Sequence, residues 1–285
     1  MNKKNLYSFW FLVPSMVVFL TIFVAPVIMS FFFSLTVWNF DSFTFAGLTN
    51  FKLFFSERAL YGSIINTLIY AILTSGTKVV IAFFLAVFLT SKIKTKNIIR
   101  SIVFFPNIVS TVAIGITFTA LLHPSKGLVN TVLGLVGIDP INFLGNPDIA
   151  LYSVIGVDIW KGLGIATVIY IAGMTAISRS YYEAADIDGA NALEKIKYIT
   201  FPLCRPSMNS VIILSFIGGL RSFDLIWSMT GGGPGFATDV MASVVYKQYA
   251  AGYYGLSSAG TIVMFVVIGL LAFPLQKFLL SREEV

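Results

Sequence analysis

Charged residues lie inside long apolar runs of this sequence, and their spacing is the first sign of chemistry. Asp158 and Lys161 are three positions apart, and Arg221 and Asp224 repeat that spacing with the signs reversed. Residues spaced in this way share one face of a helix. A charge at the centre of a membrane costs roughly 2.5–3.5 kcal/mol on insertion scales, so such residues usually face a helix bundle or a water-filled cavity. The two pairs therefore predict either ion pairs that fix helix packing or the polar lining of a cavity.

The residue types argue against other kinds of reactive site. The chain has one cysteine, Cys204, and one histidine, His123, so neither a zinc site nor a Cys–His catalytic site is expected. No Walker A pattern for ATP binding occurs in the sequence. The three glycines from Gly231 to Gly233 lack the Gly-Lys-Ser/Thr of a phosphate loop, so we expect a flexible turn there. We therefore expect no catalytic residue, no metal and no cofactor in this chain.

The composition is that of a membrane protein. Of the 285 residues, 57% are hydrophobic and 11% are charged, whereas charged residues make up about 25% of soluble domains. We predict an all-α membrane protein with one transmembrane domain over residues 1–285, because a span needs about 20 apolar residues. Lys78, isolated in the second apolar segment, is interpreted as contacting a partner subunit or a cavity water. The six predicted transmembrane helices cover residues 8–33, 64–90, 98–122, 149–177, 207–229 and 256–280.

The distribution of Lys and Arg over the loops predicts the orientation. Four of these residues fall on one side of the predicted membrane: Lys52, Arg58, Lys126 and Lys247. Twelve fall on the other: Lys3, Lys4, Lys92, Lys94, Lys96, Arg100, Arg179, Lys195, Lys197, Arg205, Lys277 and Arg282. The positive-inside rule then places both termini in the cytoplasm. The net charge of +6 is thus explained by topology, and nucleic-acid binding is not expected.

One cytoplasmic loop, at about residues 180–206, differs from the rest of the chain by being polar and helix-forming. Gly189 favours a sharp bend, and Asn191 is a plausible N-cap for a second short helix. That helix places Leu193, Ile196 and Ile199 on one face, and Pro202 and Pro206 are predicted to end it. The loop either rests on lipid headgroups or contacts a protein partner. With Arg179 included, its four acidic and four basic residues favour the protein partner.

The string "EAADIDGANALEKIKYITFPLCRP" in this loop resembles the EAA loop of ATP-binding-cassette (ABC) importer permeases. The family pattern is EAA, three residues, Gly, and a tail that ends in Pro. In that family the loop docks into a groove of a separate ATPase subunit. The resemblance therefore implies a coupling helix pair between the fourth and fifth spans. It assigns ATPase coupling to Glu183, Ala184, Ala185, Asp188, Gly189, Ala190 and Pro202.

A second stretch, "FDLIWSMTGGGPGFATDVMASVVYKQYA", is similar to carbohydrate permeases of the maltose and glycerol-phosphate type. "VDIWKG" and "GGLRSFD" resemble their sugar-contacting segments, and the two glycines of the second suggest a wide cavity. The indole of Trp160 offers a face for a sugar ring, and nearby charges could bind hydroxyl groups. The substrate site implied by the resemblance comprises Asp158, Trp160, Lys161, Gly218, Gly219, Arg221 and Ser222.

The resemblance also implies partners and a location. A second, similar permease, two ATPase subunits that bind ATP and Mg²⁺, an external solute-binding protein and a carbohydrate would assemble at the cell membrane of a prokaryote. A secondary transporter for a polar solute is an alternative, but it gives the EAA loop no role and predicts inverted repeats. An ABC permease for a non-sugar solute is a second alternative. A structural scaffold is the third, and the buried charges argue against it.

Overall fold

The computed structural model describes residues 9–38, 42–91 and 93–281. The predicted start of the first span at residue 8 lies outside them, as do Lys3, Lys4, Lys92 and Arg282 of the charge count. The described chain is mainly helical, with one antiparallel hairpin of strands β1 (Thr36–Trp38) and β2 (Phe43–Phe45) that the all-α prediction omits. The helices are α1 (Trp10–Ser34), α2 (Thr49–Ser56), α3 (Arg58–Thr90), α4 (Lys96–Ile108), α5 (Thr111–Leu121), α6 (Leu128–Leu135), α7 (Ala150–Ala176), α8 (Arg179–Ile187), α9 (Ala192–Leu203), α10 (Arg205–Leu220), α11 (Asp224–Thr230), α12 (Met241–Ala250) and α13 (Tyr254–Leu280).

Four of these helices, α1, α3, α7 and α13, are long and apolar enough to cross a membrane, judged over the described residues. Two bent pairs raise the number to six if each pair is one span. Helices α4 and α5 bend by 98°, and α9 and α10 bend by 68°. Membrane helices are thus confirmed as the dominant element, while the count of six stays a prediction.

The predicted third and fifth spans are not continuous helices. The third is interrupted at Val109 and Ser110, shortly after Pro106, which lies inside α4. The fifth is interrupted between Leu220 and Asp224, where α10 ends and α11 begins. Proline cannot donate a backbone hydrogen bond and its ring crowds the preceding turn, but α4 continues past Pro106 to Ile108, so the break after it is not the direct effect of the proline. The second break falls in an apolar run that contains no proline, so composition alone does not reveal it.

The chain divides into two compact units, one of residues 1–61 and 244–265 and the other of residues 62–243 and 266–285. In the first unit, the Asn50 side chain donates hydrogen bonds to the carbonyl oxygens of Ser34 and Thr36. Trp38 stacks on Phe33 with ring centroids 4.8 Å apart. These contacts fix the hairpin to the end of α1 and to the start of α2.

The second unit contains two clusters of buried apolar side chains. The first lies between α3, α5, α7 and α11, and its largest fully buried member is Tyr70. The second lies between the C-terminal halves of α3 and α7 and the start of α10, around Phe83 and Tyr170. Gly164 lets α4 approach α7, because a Cβ there would lie 2.8 Å from the carbonyl oxygen of Val103. These helices surround the polar residues described next.

Candidate substrate passage and partner-binding segment

A lysine–aspartate ion pair joins α3 to α7 in the second unit. The Lys78 Nζ donates to Asp158 Oδ2 at 2.5 Å, and the two side chains are 10% and 21% exposed. Gly162, one turn after Asp158, makes room for the lysine, since a Cβ there would lie 2.5 Å from Lys78 Cε. Both helices are candidate spans, so each charge is compensated where an isolated one would be costly.

The observed ion pair differs from the two pairs that the sequence spacing predicts. Asp158 bonds to Lys78 instead of Lys161, and Lys161 has no ion-pair partner among the described residues. Arg221 and Asp224 are both exposed and form no ion pair with each other in the described part of the chain. Side chains three positions apart on a helix can pair, but here Lys78 reaches the Asp158 carboxylate from the neighbouring helix and takes that place. Lys78 therefore has a partner within its own chain, a contact that its interpretation as contacting a partner subunit or a water did not include.

The pair borders a cavity of about 350 Å³ between α3, α4, α7 and α10, the Lys78–Asp158 cavity. Asn107 and Ser215 supply further polar groups, and Gly218 supplies exposed backbone. Its volume falls in the range of about 300–1,000 Å³ that is usual for small-molecule sites. Of the predicted substrate residues, Asp158 and Gly218 line this cavity.

Tyr70 of α3 adds a buried hydroxyl beside the ion pair. Its side chain is fully buried, and its hydroxyl lies close to Asp158 and to Ser222. It forms no hydrogen bond of ordinary geometry with either residue, or with any other described side chain. A buried hydroxyl normally has a partner. The break between α10 and α11 thus places Ser222 near a polar group that is available for a further hydrogen bond.

The other predicted substrate residues lie elsewhere. Trp160 is 44% exposed, packs against Phe118 with ring centroids 5.3 Å apart, and borders a second, mainly apolar cavity of about 690 Å³. Gly219 is buried against α3, because a Cβ there would lie 2.7 Å from Ala71 Cα. Gly219 therefore brings two helices together and does not widen a cavity. The structure separates Trp160 from Asp158, and it adds Lys78, Asn107, Gly162, Ser215 and Tyr70 to the residues that sequence reasoning found.

The segment from α8 to α9 forms a compact corner. Gly189 has φ of +77°, a left-handed conformation that favours glycine. Asn191 caps α9 as predicted, in a reciprocal capping box with Glu194. An ion pair between Lys195 and Asp186 and a 3.0 Å hydrogen bond between the hydroxyls of Tyr182 and Thr200 then join the two helices.

The predicted coupling residues lie along this corner. Glu183 and Ala184 are exposed on α8, and Ile187 and Leu193 are 88% and 77% exposed around the turn. Leu193 therefore does not share the inward face of Ile196 and Ile199, which are both half-buried. Pro202 does not end the helix, since α9 continues to Leu203 before the bend. Of the remaining predicted residues, Ala185 lies on α8, and Asp188, Gly189 and Ala190 lie in the turn.

Residues 78–285 match the sequence pattern of the family described as "Binding-protein-dependent transport system inner membrane component". The chain belongs to this family. It is 34% identical over 259 residues to the trehalose/maltose transport system permease protein MalF of Thermococcus litoralis, with 90% of this chain and 88% of the relative covered. It is 31% identical over 272 residues to the arabinooligosaccharides transport system permease protein AraP of Bacillus subtilis, covering 93% and 86%.

A solved structure shares the fold of this family member. A chain of the bacterial alginate ABC transporter, crystallised with an alginate pentasaccharide-bound periplasmic protein, superposes with a TM-score of 0.81. The sequence identity is 24%, and the alignment covers 95% of this chain and 91% of the other. The family match identifies the chain as an inner membrane component of a transport system.

Proposed function

We propose that the chain is a permease subunit of an ABC importer that carries an oligosaccharide or a related polyol. The observation that carries the proposal is the Lys78–Asp158 cavity, which holds an ion pair and several polar groups among apolar side chains, in a family member whose relatives are named for trehalose, maltose and arabinooligosaccharides. Sugar hydroxyls can both donate to a carboxylate and accept from an ammonium group. Asp158, Gly218 and Ser222 would contact the solute from this side, together with Lys78.

The other predicted substrate residues have different roles in this proposal: Trp160, Lys161, Gly219 and Arg221. Trp160 offers an aromatic face on the second cavity, where a sugar ring or a partner side chain would pack. Lys161 is half-buried and would meet an anion or water at a neighbouring subunit, and the exposed Arg221 would also contact that subunit. Gly219 would act through helix packing.

The importer would require partners that this chain does not supply. A second, similar permease would complete the passage, since none of the residues in the apolar window of α1 is buried in the described chain. Two ATPase subunits would bind ATP and Mg²⁺, and an external solute-binding protein would deliver the sugar. The chain would reside in the cell membrane of a prokaryote, with six spans and both termini in the cytoplasm.

The corner from α8 to α9 would be the segment that couples ATP hydrolysis to transport. Glu183 is an exposed acid beside the apolar side chains of Ile187 and Leu193, which suits a groove on a protein better than water. Movement of this corner with the ATPases would rock the helices around the cavity.

The experiment is reconstitution of the permease pair, the ATPases and the solute-binding protein in liposomes. We expect Glu183→Lys to abolish sugar uptake and to reduce copurification of the ATPase, while the permease still inserts in the membrane. The matched control is Glu57→Lys, the same change at an exposed residue outside the corner, and it should transport normally. Normal uptake by the Glu183 variant would contradict the coupling role.

A further inference from the structure

The lining of the Lys78–Asp158 cavity has no net charge. Among the described residues that border it, Lys78 and Asp158 are the charged ones, and each neutralises the other. The polar groups that remain, including Asn107 and Ser215, are neutral. The nearby hydroxyls of Tyr70 and Ser222 are neutral too. A solute at this site therefore meets apolar side chains, one compensated ion pair and a few uncharged donors and acceptors.

This arrangement treats neutral and acidic sugars differently. A sugar hydroxyl can donate to Asp158 and accept from Lys78 while the two charges continue to balance. A carboxylate on the sugar would lose its hydration shell and approach Asp158, and the ammonium of Lys78 is already engaged. Because the pair is only 10% and 21% exposed, solvent screens this repulsion weakly.

We propose that the Lys78–Asp158 pair is a charge filter that selects neutral saccharides and rejects those that carry a carboxylate. The proposal rests on the proposed function, since it names the substrate class of the same passage. It assigns a specificity role to Lys78. The cavity volume, about 350 Å³, suits recognition of a small part of an oligosaccharide at a time.

The test measures sugar binding to the permease pair with its ATPases, purified without the solute-binding protein so that the binding protein's own selectivity does not intervene. The probes are maltose, trehalose, and each disaccharide oxidised at one C6 to the carboxylate. We expect the wild type to bind at least one neutral disaccharide about tenfold or more tightly than its carboxylate. Equal affinities would overturn the filter while leaving the proposed function standing. Tighter binding of either carboxylate than of its neutral parent would also overturn the filter.

A variant that keeps the ion pair makes the charge argument specific. Asn107→Lys adds one uncompensated cation to the lining, and we expect it to reduce the preference for the neutral sugar at least severalfold. Asn107→Met, of similar size to the lysine variant and uncharged, should keep the preference of the wild type. If both variants change the ratio equally, the shape of the cavity sets the selectivity and the proposal is wrong. Asp158→Asn, which leaves Lys78 uncompensated, should shift the ratio in the same direction as Asn107→Lys.

Discussion

Two lysine–aspartate ion pairs occupy contrasting parts of the permease. Lys78 and Asp158 join α3 to α7 among apolar helices, and their side chains are 10% and 21% exposed. Lys195 and Asp186 join α8 to α9 across a polar corner, with 21% and 66% of their side chains exposed. The chemistry is the same, but the surroundings decide what each pair contributes. Removing one partner leaves a charge among apolar helices in the first pair, whereas in the second pair Asp186 is largely in contact with water.

Under the proposed function, this difference would give one permease a rigid passage and an adjustable docking segment. In a poorly polarisable interior, the loss of one charge exposes the full desolvation cost of the other. At a surface, water and salt replace the missing partner, and the net contribution is about 0–1 kcal/mol. The buried pair therefore tightly constrains the distance between two helices. The more exposed pair joins α8 to α9 less tightly, so a docked ATPase would be able to change the angle between them.

The largest predicted effect comes from breaking the buried pair on one side. Lys78→Met leaves Asp158 uncompensated and should destabilise the fold by about 3–5 kcal/mol, the usual cost of an orphaned buried charge. The measurement is the thermal unfolding midpoint of the purified permease, followed by the intrinsic fluorescence of its tryptophans. The double variant Lys78→Met with Asp158→Asn removes both charges and should recover most of the loss. A double variant no more stable than the single one would contradict the account of an orphaned charge.

The next prediction separates two adjacent glycines at the same end of α10. Gly219→Ala places a Cβ 2.7 Å from Ala71 Cα, a backbone atom that cannot move alone. The substitution should therefore cost about 1–3 kcal/mol, as other overpacked helix contacts do. Gly218→Ala is the matched control, since nothing lies within 4 Å of its added Cβ. Its effect on the unfolding midpoint should be small or slightly stabilising. Equal midpoints for the two variants would contradict the assignment of Gly219 to helix packing.

Sequence reasoning succeeded where a feature depends on a few neighbouring residues. The apolar runs predicted membrane helices, Gly189 predicted the corner, and Asn191 predicted the start of α9. Each of these follows from local chemistry: hydrophobic length, a positive φ, and a side-chain oxygen that reaches a nearby amide.

Sequence reasoning failed where a feature depends on which helices pack together. The partner of Asp158 lies 80 positions away on α3, and only the approach of α3 to α7 at Gly162 makes that pairing possible. Asp158 and Trp160, two positions apart on one helix, point about 200° apart at 100° per residue. The helical period alone, applied to the sequence, could have predicted that the two side chains face different cavities. The break between α10 and α11 had no such sign.

The smallest predicted effect on stability concerns the exposed pair, and it is also the sharpest test of the comparison. Asp186→Asn replaces a side chain that is 66% exposed with a solvated amide whose oxygen can still accept from Lys195, so the shift in unfolding midpoint should correspond to a loss of at most about 1 kcal/mol. The Tyr182–Thr200 hydrogen bond and the capping box of α9 should still hold the corner together.

If α8 and α9 act as one body in coupling, the looser corner should nevertheless lower the number of sugars imported per ATP hydrolysed. Glu57→Gln, an equivalent neutralisation outside the corner, should leave that ratio unchanged. A stability loss as large as that of Lys78→Met would mean that exposure does not distinguish the two pairs. An unchanged ratio of transport to hydrolysis would mean that the corner does not need this ion pair to transmit motion, because its backbone turn and hydroxyl bond are then sufficient.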